Sequence, residues 1–444
     1  MTHSTTTTPS TKMIVRAQLF HTPTNPFLYG GALVSIHDGA LAFGDGRILE
    51  VGDFAKVSRA YPDAGVKDAR GSLILPGMVD THVHYPQIHV IGAMGLRLLD
   101  WLRERTLPEE VRLKDPGYAR LVAKGFLRGL LQNGTTTALV FGAHFAAAQE
   151  ILFEEAHGLG LRLSSGLVIS DRNLHPALES TPEACYEESR ALVERWHGRG
   201  RLRYAVTPRF SVSCSEAMLE VAGALLGENP EVMLQTHLNE NVDEIALVGR
   251  LFPWAGDYLE TYERYGLVGP GSVFAHNVHV SDGELIHLAQ ARAAVAHCPS
   301  SNAFIGSGLF NMRRHLEHGV RFGLGTDVGG GTGFSLLKEG LAAYACQMLL
   351  QAEGYPLTPA HLLYLATLAG AKALGLADEV GDFTPGKSAD FVLIRPPKGS
   401  TLEAVLAHSP TAEAALGAVF TLAREESVRE VYIAGSPVFS RGSP

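Results

Sequence analysis

The sequence predicts an α/β protein. Its main body is a parallel (β/α)8 TIM-like barrel, joined to a small composite β-sandwich domain formed by both chain ends. Three observations predict this. Residues 76–375 alternate apolar strand-like runs with amphipathic helical stretches. Residues 13–75 and 376–444 share another style, short apolar runs separated by turn residues. Polar, metal-capable residues also gather where the strand-like runs of the middle stop, which is where such a barrel keeps its active site.

Composition sets limits. The chain has 444 residues, 46% hydrophobic and 19% charged, with a formal net charge of -9. A sequence pI near 6.1 gives no basic footprint for gripping a nucleic acid. Cys185, Cys214, Cys298 and Cys346 are far apart and form no C-x-x-C. That excludes a disulfide framework and suits a cytoplasmic protein. No apolar run is long enough to span a membrane. Residues 1–12, mostly Thr, Ser and Pro, lack an apolar core. They are expected to form a disordered tail rather than a secretory signal.

In chain order, Ala32–Ile36 and Arg47–Val51 flank the turn signal Gly44-Asp45-Gly46. They predict a small antiparallel sheet. Barrel strands are expected to begin near Gly77, Thr135, Arg162, Arg201, Val232, Ser272, Ala293 and Arg321. Helical periodicity covers Tyr118–Leu131, Pro182–His197 and Leu285–Ala291. The strand style returns at Phe391–Ile394 and at Val428–Ile433, the latter before the turn Ala434-Gly435-Ser436.

The run ends carry the chemistry. The first ends in His82-Val83-His84. Side chains alternate along a strand, so both histidines face one way and can share a metal ion. The fourth run ends in Arg209-Phe210, and the fifth in His237-Leu238-Asn239-Glu240. The sixth ends in His276, and the eighth in Asp327 followed by Gly329-Gly330-Gly331. This glycine run lacks the Lys-Ser/Thr of a phosphate loop; its expected role is to let backbone approach a ligand. His315 and His318 read as solvated on a charged helix, and His297 and Cys298 as structural. The H-x-E and P-C-x-x-C signature of the small zinc deaminases is missing.

These stretches resemble the amidohydrolase superfamily, and within it the guanine deaminases, over nearly the whole chain after the tail. The resemblance is carried by Pro76–Gln87, Asn133–Gly142, Tyr204–Ser211, Thr236–Asn241, Phe274–His276, His297–Asn302, Gly306–Asn311 and Gly325–Thr332. The Pro86-Gln87 pair after His-x-His and Thr207-Pro208-Arg209-Phe210 look particular to the guanine deaminases. Asn173–Glu179 matches poorly. The resemblance implies zinc, cytosolic purine catabolism, guanine and water as partners, and often a homodimer.

It also implies one Zn2+ per chain, with His82, His84, His237 and Asp327 as ligands. Binuclear relatives carry a bridging lysine at the end of the fourth strand, and Tyr204–Phe210 has none. Glu240 is expected to shuttle the proton, with His276 and Asp327 orienting the attacking hydroxide. Arg209 can donate to a ring carbonyl, Gln87 offers both a donor and an acceptor, and Phe210 lines the base. His84, Tyr85, Pro86, His237, Glu240 and Asp327 complete the expected substrate contacts, although Tyr85, like Trp101, reads by residue type as packing. Other members, such as 8-oxoguanine, adenosine-analogue or triazine hydrolases, would use the same metal set. A non-catalytic scaffold should show broken ligands, and every one is present.

Overall fold

The computed structural model describes residues 12–442; the expected tail, apart from Lys12, lies outside them. Four strands come first: β1 (Met13–His21), β2 (Val34–Gly44), β3 (Arg47–Asp53) and β4 (Gly65–Pro76). Nine follow in the middle: β5 (Met78–His84), β6 (Thr135–Phe141), β7 (Arg162–Gly166), β8 (Val168–Ile169), β9 (Leu202–Pro208), β10 (Met233–Leu238), β11 (Ser272–His276), β12 (Ala294–His297) and β13 (Arg321–Leu324). The last three are β14 (Phe391–Ile394), β15 (Val428–Ile433) and β16 (Ser436–Ser440).

Both chain ends build one seven-stranded sheet, in the order β16-β15-β14-β4-β1-β2-β3. The N-terminal part is not purely antiparallel as expected. β1 runs parallel to β4, because the helix Phe54–Ala60 carries the chain across between β3 and β4. β14 pairs with Leu73–Pro76 of β4, so the returning chain docks on the strand that feeds the barrel. Val15, Leu19, Phe43, Phe391 and Tyr432 fill one side, and Ile14, Ala40, Ala42 and Val57 cluster separately. That split follows from the alternation of side chains along β1 and β2.

The barrel strands follow one another in parallel, β5-β6-β7-β9-β10-β11-β12-β13, with the short β8 on β9. Every residue of β5, β6, β7, β10, β11 and β12 is buried, as expected for strands covered on both faces. Closure between β13 and β5 runs through Asp80 and Thr81. Thr326 donates to Asp80 from N (3.0 Å) and Oγ1 (2.5 Å), and Thr81 Oγ1 donates to Leu324 O at 2.9 Å. Inside, Val79, Leu139, Ala205, Val273, Ala294 and Ala296 pack with Ala371 and Leu374 of a helical segment. Gly323 allows that approach: a Cβ there would lie 2.8 Å from Gly370 Cα.

Helix starts follow side-chain caps. Asp115 caps Pro116–Gln132 and Thr181 caps Pro182–Trp196. Asp282–Gln290 starts three residues before the apolar periodicity does, because Ser281 and Glu284 form a capping box. Residues 85–134 make a long excursion between β5 and β6. It contains short turns at Tyr85–Val90, Leu98–Trp101, Leu102–Thr106 and Leu107–Val111 before the long helix.

One joint of the composite sheet is pH-sensitive. His21 is buried, and its Nδ1 accepts from Phe383 N at 3.3 Å. Burial pushes its pKa down from 6.5 to about 4; nearby Asp382 opposes the shift and Lys387 adds to it. The unfolded chain therefore binds this proton more readily than the fold does. The contribution, on the order of 3 kcal/mol, is complete above pH 6.5 and lost as pH falls towards 4. Melting temperature against pH should fall less steeply over that window in His21→Leu than in the wild type; equal slopes would refute this.

Candidate active site

The site is assembled from strand ends. His82 and His84 leave β5 on the same side, and their Nε2 atoms lie 3.1 Å apart. His237, in β10, brings its Nε2 to 3.3 Å from that of His84. Asp327 follows β13, and its Oδ1 lies 3.2 Å from His82 Nε2 and 3.3 Å from His84 Nε2. The Asp327 backbone has φ 47°, in the left-handed region that Asp tolerates better than most residues. Two backbone bonds fix the turn to β5: Asp327 N donates to His82 O (2.8 Å) and His84 N to Val328 O (3.0 Å).

Separations of 3.1–3.3 Å are short enough for facing donor atoms to share one metal ion; His82, His84 and His237 form one such group, and His82, His276 and Asp327 an overlapping one. His237 Nδ1 lies 2.7 Å from Arg209 O. It can only donate there, which leaves the Nε2 lone pair free for a metal. Burial pushes the His84 imidazole down to about 4, and burial with the neighbouring imidazoles takes His237 well below its usual value. Burial alone would raise Asp327, but hydrogen bonds from His82 and His84 outweigh it and hold the carboxyl well below the usual range. Neutral imidazoles and an ionised carboxylate are the forms that bind metal.

Two groups flank the set. His276, with φ 71°, directs Nδ1 at Asn302 Oδ1 (2.8 Å). Its Nε2, left as an acceptor, faces Glu240 at 3.5 Å and Asp327 at 3.9 Å. Burial, reinforced by Asp327, pushes the Glu240 carboxyl well above its ordinary value, and Ser307 Oγ donates to its Oε1 at 3.2 Å. A carboxyl of that kind can carry a proton at neutral pH.

A small cavity opens on these atoms. Its polar wall is His84, Gln87, Arg209, His237, Glu240, His276 and Asp327, and its apolar wall is Leu98, Trp101, Leu102, Phe210 and Ile305. Behind Gln87 and Arg209 lies Glu110, also buried. Its carboxylate takes Gln87 Nε2 at 2.8 Å, Arg209 Nη1 at 2.8 and 3.1 Å, and His144 Nε2 at 3.1 Å. Burial would raise this carboxyl, but Arg209 and His144 hold it far below the usual range.

The expected residues His82, His84, Gln87, Arg209, Phe210, His237, Glu240, His276 and Asp327 all come together. Tyr85 does not. It points to the opposite side from His84, its ring packs near Phe126, and its hydroxyl donates to Ala148 O at 3.1 Å. Pro86 is absent from the cavity wall; it opens the turn Tyr85–Val90 that delivers Gln87. Trp101, expected as packing, lines the cavity, and its Nε1 finds no hydrogen-bond partner among the described residues. His315 is buried rather than solvated: it stacks on Phe310 at 4.0 Å, and its Nε2 lies 3.1 Å from Asn277 Nδ2. The glycine run makes room for neighbouring protein groups. A Cβ on Gly329 would meet Gln87 O at 2.5 Å, and one on Gly331 would meet Thr326 O at 1.8 Å.

Glu110, His144, Leu98, Leu102 and Ile305 escaped the sequence reading. Leu107-Pro108-Glu109-Glu110 resembles any surface helix start, and no residue type there signals a buried carboxylate. Asn302 and Ser307 fell within stretches singled out for resemblance, but nothing in their spacing indicated a role.

A model described as the amidohydrolase family matches residues 73–438. An imidazolonepropionase-like composite domain of bacteria matches residues 39–64. The chain is 58% identical over 433 residues to a probable guanine deaminase of Deinococcus radiodurans, covering 96% of this chain and 99% of that one. It is similar to the solved structure of E. coli guanine deaminase, with TM-score 0.92 and 40% identity over 97% of this chain and 100% of that one. A guanine deaminase from C. acetobutylicum, solved with guanine in its active site, has TM-score 0.88 and 26% identity, covering 96% and 100%.

Four convergent ligands predict one metal ion per chain. Elemental analysis of protein purified without added metal should give a stoichiometry near one. His84→Ala and Asp327→Ala should each lose most of it. Two ions per chain, or unchanged content in either variant, would remove the assignment.

Proposed function

The chain belongs to the amidohydrolase family, standing among its guanine deaminases, and we propose that it hydrolyses guanine to xanthine and ammonia in purine catabolism. The observation that carries the reading is a small cavity with two unlike ends. One end holds the four expected metal ligands beside the buried carboxyl of Glu240. The other holds Arg209 and Gln87, directional groups suited to the edge of a base.

The ion is read as zinc, held by His82, His84, His237 and Asp327; when bound, it supplies Lewis acidity that brings the pKa of water from ~15.7 to ~7. Glu240 takes the proton from the attacking water and passes it to the ring nitrogen beside C2. The water oxygen bonds to C2, and the C2–N bond to the exocyclic amine breaks. The amine leaves as ammonia once the remaining proton has been delivered, so guanine and water become xanthine and ammonia. His276 Nε2, kept as an acceptor by the Asn302 bond, orients the attacking O–H. Asp327 Oδ2, facing His276, shares that task.

Arg209 gives one nitrogen to Glu110; its remaining donors can address the 6-oxo group. Gln87 Oε1 accepts from Gly329 N at 3.2 Å and has a second lone pair for a ring N–H. Phe210, Leu98, Leu102 and Ile305 keep water from competing at the ring faces. Four buried, unpaired cysteines suit a reducing cytoplasm, and a second copy of the chain is the partner that the resemblance implies.

Two experiments test the reading. Glu240→Gln should keep its metal and lose ~100- to 10,000-fold in kcat; loss of metal instead would make Glu240 a ligand. Comparing kcat/KM for guanine, 8-oxoguanine, adenine, guanosine and cytosine should put guanine first. Adenine lacks the 6-oxo group, and a site built to bond that group can reject such an analogue by ~10,000-fold. Arg209→Ala should lose most on guanine. Preference for adenine or cytosine would refute the substrate, and preference for 8-oxoguanine would move the protein to that neighbouring activity.

A further inference from the structure

We propose that Glu110 is a positioning residue that fixes what Gln87 and Arg209 present to the base and keeps the cavity from favouring anionic purines. The inference rests on the reading of this cavity as a guanine site. Glu110 does not line the cavity. It lies on the short helix Leu107–Val111, 3% exposed, and touches the cavity only through other side chains.

Its acceptor capacity is filled. Oε1 takes Gln87 Nε2 (2.8 Å) and Arg209 Nη1 (3.1 Å), and Oε2 takes Arg209 Nη1 (2.8 Å) and His144 Nε2 (3.1 Å). A carboxylate has about four such positions. The Glu110 carboxylate can only accept, so His144 donates to it from Nε2, and the neutral ring then accepts at Nδ1 from Ser170 Oγ (3.1 Å). Every group facing Glu110 is therefore a donor.

Two consequences follow. The first is orientation. Glu110 demands the NH2 end of Gln87, while Gly329 N demands its oxygen. Both select one amide orientation; His84 Nδ1 also lies 3.2 Å from that nitrogen. Gln87 thus presents an acceptor that a neutral base meets with an N–H. The second is charge. Arg209 is 3% exposed and lines the cavity. Without its partner it would be an uncompensated buried cation, and such a charge is strongly unfavourable until an anion arrives. Paired with Glu110, it still donates to a neutral carbonyl but no longer rewards a negative ligand.

That matters for this reaction because its product is the more acidic base. Replacing the amine at C2 with a second carbonyl makes the ring N–H easier to lose. An unpaired guanidinium would hold the xanthine anion and strengthen product inhibition. Glu240 and Asp327 also face the cavity, but both stay unchanged when Glu110 is altered.

The test uses the metal-loaded full chain and two probes: urate, an anion at neutral pH, and hypoxanthine, neutral with the same 6-oxo edge. Calorimetry on Glu110→Gln should shift the ratio of urate to hypoxanthine affinity towards urate by at least ~10-fold, the change expected from ~1.4 kcal/mol of differential charge interaction. With guanine as substrate, KM should change more than kcat, and product inhibition by xanthine should tighten. Glu110→Asp keeps the charge and should keep the wild-type ratio even where both probes bind more weakly. Parallel weakening of both probes in Glu110→Gln would leave Glu110 a merely structural ion-pair partner and overturn the proposal, as would an urate shift of the same size in Glu110→Asp. The affinity ratio needs no turnover, so failure of the wild type to release ammonia from guanine would strike the proposed function separately.

Discussion

Three imidazole nitrogens and a carboxylate oxygen are crowded within 3.1–3.3 Å of their neighbours in a buried space. Lone pairs at that distance repel unless a cation lies between them, and burial removes the water that would otherwise screen them. The surrounding structure is arranged to hold them there. His237 is anchored through Nδ1 on Arg209 O. Asp327 and His84 are stitched together by two backbone bonds across the barrel seam. Asp80, one pleat before His82, accepts from Thr326, the residue before Asp327. The bonds that close the barrel therefore also set the ligand spacing, and loosening the seam would loosen the site.

The same constraint explains the unusual backbone. Asn239, His276, Asn277 and Asp327 all have φ between 47° and 71°, and all stand at the ends of β10, β11 and β13. A strand that continued straight would carry its next side chain past the mouth of the barrel. A left-handed step turns the chain sharply: at His276 and Asp327 the side chain reaches the cavity, whereas Asn239 and Asn277 bond to Glu284 and His315. Such steps cost of order 1–3 kcal/mol each for non-glycine residues, and they persist where neighbouring bonds over-determine them. Asn277 N donates to Leu238 O, so the turn after His276 is tied to the end of the strand that carries His237.

Legibility followed periodicity. Strand starts and the side chains that converge at the strand ends could be read because a parallel barrel buries its strands on both faces and gathers polar side chains at one end. The alternation rule that joined His82 to His84 also argues against Tyr85, which had been carried along by adjacency alone. What sequence could not show was burial imposed by irregular chain. Trp101 and Glu110 lie in residues 85–134, where short turns replace regular periodicity, so neither the inward face nor the buried carboxylate had a repeating pattern to reveal it. His315 was misread for a related reason. Its helix, Met312–Glu317, is only six residues long, and its charged neighbours masked the one position that faces Phe310.

The outcome is a division of labour in the chain. The expected metal ligands, Glu240 and His276 come from barrel strand ends, where hydrogen-bonded sheet fixes them. Those that choose the ligand come in part from the excursion between β5 and β6, which contributes Gln87, Leu98, Trp101 and Leu102 to the wall and Glu110 behind it. The two parts meet at Arg209. Its backbone carbonyl accepts from His237 Nδ1, while its side chain pairs with Glu110. One strand end thus ties the geometry of catalysis to the geometry of recognition. A change in the excursion can retune which base enters without touching the metal ligands, whereas a shift in the end of β9 must disturb both.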